Sequence, residues 1–458
     1  MQQLSRQATE PRPPPGQVLP PLQRLQRRLR IDRMTTDWDT TPGKLRVTMV
    51  VLVLGVLLSG GVGAYAADVR ADATRDIAER IEPLNADVTT LYRSLAAADA
   101  TVTSGFLSGS LEPTGVRARY DGQVAEATSR LTQAGAQAGE DLVTADRIAD
   151  IGARLPVYTG LIERARANNR QGFPLGVAYL RRASELMQSS ILPEAQELQR
   201  RQAARLDEAY RRAGSAPVLA LTVCAVSLAG LVWAQLFLFQ RTHRIFNIGL
   251  VTATGTVLVG LLWWTVTGVI SAGYLQSSRG HSQSVSDALG PAQIAALQAR
   301  AAESLSLVAR GAATENDFDA QLQLLARDEG AGGALGAARR FTTDQEDANQ
   351  EGEKLVETAV GAALGYQEAH KEVVRQLDEG GEYSQAVAVT LRGDPASTFN
   401  RLGSALAVAV EHERTEFKSD IARAQRWPTG LVVGTGGLAL AAAVGVALGI
   451  RRRLEEYR

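Results

Sequence analysis

Four apolar runs without a charged side chain constrain this chain more than any other feature: residues 47–67, 217–240, 245–273 and 429–450. About 20 such residues in helical form cross a ~30 Å hydrocarbon core. The expectation is therefore a membrane protein with four transmembrane helices, at 45–67, 217–240, 245–273 and 429–450. The first run follows a long basic stretch, and Tyr65-Ala66-Ala67 is a poor cleavage site, so it reads as a retained anchor.

Charge sets the expected direction. Arg24, Arg27, Arg28, Arg30, Arg33, Lys44 and Arg46 precede the first run, Arg241-Thr242-His243-Arg244 joins the second to the third, and Arg451, Arg452 and Arg453 follow the fourth. If all four runs cross, these basic groups share one side, and the positive-inside bias makes that side the cytoplasm. Both termini, the leader 1–44, the turn 241–244 and the tail 451–458 then lie inside a plasma membrane. Residues 68–213 and 274–427 lie outside. The Pro-rich leader reads as disordered; its Leu22, Leu25 and Leu29 leave open a short basic helix on anionic lipid or a solvated tail.

The outer segments read as helix. Aromatic residues are only 5% of the chain, and alternating β-branched stretches are absent from these segments. Ile77, Ile81, Leu84, Val88, Leu91 and Leu95 form one stripe at spacings of three and four. It begins just past the first apolar run, so one long helix is expected to continue out of the span, with a kink at Pro83. Two more helices are expected at 116–137 and 141–169, and a fourth over 173–213, with a second kink at Pro193. Ile294, Leu297, Ala301, Leu305 and Val308 give the corresponding stripe in the second segment. There, Thr314 with Asp317 suggests a capping box, Asp394-Pro395 a helix start, and 330–336 a loop.

The two halves share landmarks. Asp99 and Glu303, Tyr158 and Tyr366, Gly172 and Gly380, and Pro217 and Pro428 recur in order at spacings of 204 to 211 residues. The expected fold is all-α, with two extracytoplasmic up-down helical bundles related by internal duplication.

Chemistry is harder to find. Carboxylates such as Glu163, Asp207, Glu208, Glu353 and Glu372 fall among basic residues at helical spacing, as on solvated faces. Cys224 is the sole cysteine, so no disulfide forms within the chain, and the four histidines are far apart in sequence. No hydrolase, metalloprotease, kinase or phosphate-loop motif occurs, and no catalytic residue, metal or cofactor is expected. The spans carry no ionisable group at mid-depth, which argues against a transport pathway. Instead Gly55, Ser59 and Gly63, and Gly437, Ala441, Gly445 and Gly449, are spaced for close helix contact. These features favour a non-enzymatic sensor over an enzyme, with a structural or scaffolding membrane protein as the alternative. Arg93, Arg164 and Arg375 are candidate seam residues for a ligand, though an arginine at such a position is more often a surface residue.

The duplicated plan resembles the actinobacterial GlnX-type membrane proteins, as do the stretches Thr41-Pro42-Gly43-Lys44-Leu45-Arg46 and Arg241-Thr242-His243-Arg244-Ile245-Phe246-Asn247. The resemblance implies relay of an amino-acid signal from an extracytoplasmic solute-binding lipoprotein, GlnH, to the cytoplasmic serine/threonine kinase PknG. Nucleic acid is not among the implied partners, and a homodimer is left open.

Overall fold

The computed structural model describes residues 41–109, 112–139, 141–215, 218–242, 247–309, 315–343, 350–378, 383–426 and 430–455. The leader as far as residue 40, Pro217, His243 and Arg244 of the turn 241–244, Thr314, Gly380, Trp427 and Pro428 lie outside them. The described residues are almost wholly helical and contain four helices long and apolar enough to cross a membrane, consistent with a multi-pass membrane protein. The helices are α1 (Thr41–Asp76), α2 (Glu82–Phe106), α3 (Thr114–Gln137), α4 (Leu142–Arg170), α5 (Leu175–Leu186), α6 (Leu192–Gly214), α7 (Val218–Thr242) and α8 (Ile248–Ser284). They continue with α9 (Gly290–Ala309), α10 (Glu315–Leu325), α11 (Gly333–Thr343), α12 (Gln350–Asp378), α13 (Tyr383–Arg392), α14 (Asp394–Arg426) and α15 (Leu431–Glu455).

The chain divides into two compact units. The first gathers the described residues up to Ala64 with 218–262 and those from Val433 onward. Its core is formed by Leu52 and Val56 of α1, Leu231 and Ala234 of α7, Leu250 and Ala253 of α8, and Val446 and Ile450 of α15. Small residues bring these helices together, though not at every expected position. Gly55 faces Ser227, whose Oγ donates to the Gly55 carbonyl at 2.9 Å, whereas Gly63 and Gly437 have open space beside them. Gly60 of α1 lies hard against Ala439 of α15, and α8 also approaches α15 closely. A β-carbon on Gly249 would stand 2.5 Å from Gly449 Cα and 2.7 Å from Gly449 N. Asn247 Nδ2 donates to the Gly449 carbonyl at 2.9 Å.

The second unit holds 65–217 and 263–432. In its first part α2, α3, α4 and the α5–α6 pair pack as a four-helix bundle. Leu91, Leu95, Ile151, Tyr158, Ile162 and Leu180 are almost wholly buried there, each apolar side chain of this kind contributing roughly 1.5–3 kcal/mol. In its second part α9, α12 and the α13–α14 pair repeat the plan, with α10 and α11 occupying the place of a single helix. Helices α2 and α9 pack on each other, and Ile294 and Leu305 of α9 join the core of the first part.

Observed α3 and α4 lie within two residues of the helices expected at 116–137 and 141–169. The stretch 330–336 is mostly helix, since α11 begins at Gly333 and only a tight turn between Arg327 and Gly332 precedes it. At Gly333 φ is +74°, a conformation in which a side chain would be strained.

The kinks expected at Pro83 and Pro193 take a specific form. Each proline directly follows the first residue after a π-helical turn, Ile77–Ile81 before Pro83 and Met187–Ile191 before Pro193. Proline has no N–H, and its ring crowds the carbonyl four residues back. A wide turn removes that crowding: the preceding N–H of Glu82 reaches back five residues to Ile77 O, and that of Leu192 to Met187 O. The second half does the same at Val285–Leu289 before Pro291, 208 residues after the first (77 to 285).

Candidate functional site

The landmarks that mark the repeat also mark its buried polar chemistry. Asp99 lies four residues after Leu95, on the apolar face of α2, and is buried. Tyr158 Oη of α4 donates to its Oδ1 at 3.4 Å, while Ser184 Oγ of α5 donates to Oδ2 at 2.8 Å. Gln188 Nε2, in the π turn, donates to Oδ2 at 3.3 Å and to Ser184 Oγ at 3.1 Å. All three donors are neutral. Burial therefore dominates and pushes the Asp99 carboxyl up to about 6, with the hydrogen bonds from Ser184, Gln188 and Tyr158 pulling the other way. Burial and Asp99 itself raise the Tyr158 phenol well above its ordinary value.

Beside this centre, Tyr120 of α3 stands 6.5 Å from Tyr158 between ring centroids, and the Arg166 guanidinium lies 4.5 Å over the Tyr120 ring. Arg166 is buried, donating to Glu112 at 2.9 Å and Glu163 at 2.7 Å. Burial opposes its charge, but the hydrogen bonds to Glu112 and Glu163 outweigh burial and raise its pKa.

Glu303 of α9 holds the matching place in the second half, where Tyr366 Oη of α12 donates to it at 2.9 Å. Here the neighbours can carry positive charge. Arg300 Nη1 donates to Glu303 Oε2 at 2.6 Å, and His370 Nδ1 lies 2.8 Å from Oε1. Arg300 also donates to the Thr390 carbonyl at 2.9 Å, tying α9 to α13. Phe318 of α10 stacks on the His370 ring and meets Tyr366 edge-on. Burial would raise the Glu303 carboxyl; Arg300, with His370 and Tyr366, overcomes it and holds the group below its ordinary value. A third buried cluster joins His281 of α8 to α14, with Nδ1 2.7 Å from Glu413 and Nε2 3.7 Å from Asp420.

Of the arginines considered from sequence, Arg164 and Arg93 are both exposed, Arg164 on α4 and Arg93 at the edge of an open cleft between α2, α3, α9 and α14. The Arg375 side chain lies outside the described residues. Glu163, Asp207 and Glu208 make ion pairs at partly exposed positions, as solvated faces do. Ser184, Gln188, Arg300 and His370 carried no sequence signal of their own. Asp99 and Glu303 did carry one, as paired landmarks of the two halves.

Residues 73–211 match the family described as the actinobacterial sensor domain. The match runs from α1 to α6 and contains the whole Asp99 centre. It supports a sensing role for the chain. No curated protein and no solved structure matches.

Proposed function

We propose that this chain is a non-enzymatic sensor of the plasma membrane, with both termini in the cytoplasm and residues 68–213 and 274–427 outside. The supporting observation is the sensor-domain match itself, which falls on a helical segment whose first helix, α1, is continuous with an apolar run. Helix α8 is likewise continuous from the third apolar run into the second half. A ligand or partner that prefers one packing of these helices shifts the population of that packing, and a continuous helix carries the shift along its axis.

In the finer reading, the outer input is an amino-acid signal delivered by a GlnH-like solute-binding lipoprotein, and the inner output passes to a PknG-like serine/threonine kinase. Affinity purification of the tagged chain from actinobacterial membranes tests it. Co-purification of a solute-binding lipoprotein with a soluble kinase is the expected result. Recovery of envelope-synthesis proteins instead would favour scaffolding and overturn the relay.

A further inference from the structure

The cleft between α2, α3, α9 and α14 has a volume of about 600 Å³. Its walls are unlike an ordinary helix seam in three respects. First, Arg93 and Arg119 both line it, and among the described residues neither has a hydrogen bond or ion pair within the chain. Both arginine side chains are exposed to solvent in the open cleft; around Arg93, desolvation together with Arg414 and Arg130 works against its charge, and Glu126 only partly compensates. A guanidinium with five donors and no acceptor is suited to a planar oxyanion.

Second, Gln123 Oε1 also belongs to the lining and is buried with no hydrogen-bond partner among the described residues. An unsatisfied buried acceptor of this kind costs about 1–3 kcal/mol unless something donates to it. Third, Gly122 of α3 and Gly403 of α14 line the cleft, and a β-carbon at either would meet nothing within 4 Å. Neither glycine has the positive φ that would demand it. Mid-helix glycine costs about 1 kcal/mol relative to alanine. What these two provide is depth, over an apolar floor that includes Leu297 and Leu406.

We propose that this cleft binds a small carboxylate carrying an apolar body and an N–H donor, the chemistry of an apolar amino acid or its N-acyl derivative. The carboxylate lies between Arg93 and Arg119, the N–H donates to Gln123 Oε1, and the apolar body rests on the leucines. The site draws on helices from both halves, so occupancy favours one packing of α2 and α3 against α9 and α14. That consequence rests on the sensing role proposed above, whereas binding itself does not.

Titration calorimetry on the purified full-length protein in detergent, with no lipoprotein or kinase present, keeps the two results separate. The probes are L-leucine, N-acetyl-L-leucine and N-acetyl-L-leucine methyl ester. One or both acids should bind, the ester at least tenfold more weakly; the stronger acid tells whether an ammonium or an amide supplies the donor. R93Q and R119Q should each weaken binding at least tenfold. G122L and G403L should fill the cleft and abolish binding without lowering the melting temperature, which rules out loss through misfolding. R182Q, on an exposed pair elsewhere, should bind as the wild type does. Absence of binding by both acids, equal binding of the ester, or retained binding in G122L and G403L overturns the assignment.

Discussion

Replacing Asp99 by asparagine keeps the shape of the first buried centre and removes its carboxylate. Moving that group from an ordinary 3.8 to about 6 corresponds to about 3 kcal/mol of preference for the protonated form in the folded chain. The sign follows from proton counts. Between those two values the folded state holds a proton that the unfolded state has released, so stability falls as pH rises through that window. Below about 4 both states are protonated and nothing is lost; above about 6 the full cost is present. The carboxylate is fully enclosed, so solvent screening removes little of it.

The assay is a pair of thermal melts of the detergent-solubilised protein, wild type and D99N, at intervals from pH 4 to pH 8. Other titrating groups, Glu303 and His281 among them, are common to both chains and cancel in the difference. The new amide adds a constant offset because it does not titrate. Relative to its value at pH 4, the difference should move in favour of D99N by about 3 kcal/mol, centred between pH 4 and 6 and level by pH 7. At roughly 2 °C per kcal/mol for a unit of this size, this is about 6 °C. A difference that stays flat from pH 4 to pH 8 would refute the reasoning, because Asp99 would then ionise no differently folded than unfolded.

The second centre should answer in the opposite sense. E303Q leaves Arg300 buried without its counter-charge and should cost about 3–5 kcal/mol in melts at pH 7, whereas Y366F, losing one hydrogen bond, should cost about 1–3 kcal/mol. Because Glu303 lies below its ordinary 4.5, its stabilising effect is present above that value and is lost as pH falls. In the apolar unit, G249A should lower the melting temperature and detergent stability, since its β-carbon meets the backbone of α15; an unchanged melt would show that α8 and α15 are not held this closely.

Helix positions and the repeat were legible because both depend on local patterns. The stripe from Ile77 to Leu95 makes a helix face whatever packs against it, and the recurrence of Asp99 and Tyr158 as Glu303 and Tyr366 survived a change of register. Sixteen residues separate Pro83 from Asp99 and twelve separate Pro291 from Glu303; the difference of four is about one turn and keeps the carboxylate on the same face. Pro83 was legible as a disturbance but not as a π turn, because that choice depends on keeping Ile77 and Leu84 both buried across it. Arg300 was not legible at all. Arginine beside glutamate at a spacing of three is ordinary on a surface, and only the docking of α13, through the Thr390 carbonyl, makes this pair a core element. The cleft was half legible: Arg93 drew notice, but Arg119 and Gln123 gain meaning only when α3 and α14 approach from different halves.

The divergence of the two centres bears on which half answers a signal. Three residues before the carboxylate stand Ala96 in the first half and Arg300 in the second; four after the tyrosine stand Ile162 and His370. Two changes of this kind turn a carboxyl held by neutral donors into one locked by opposite charge. A locked ion pair resists repacking, because separating its members in a buried site costs several kcal/mol. A carboxyl near its midpoint at about 6 changes charge for little free energy at near-neutral pH, so a small shift of α4 or α5 against α2 can alter its ionisation and be favoured by it in turn. The carboxyl held by neutral donors therefore lies in the half that carries the sensor-domain match, and the one held by opposite charge lies in the other half.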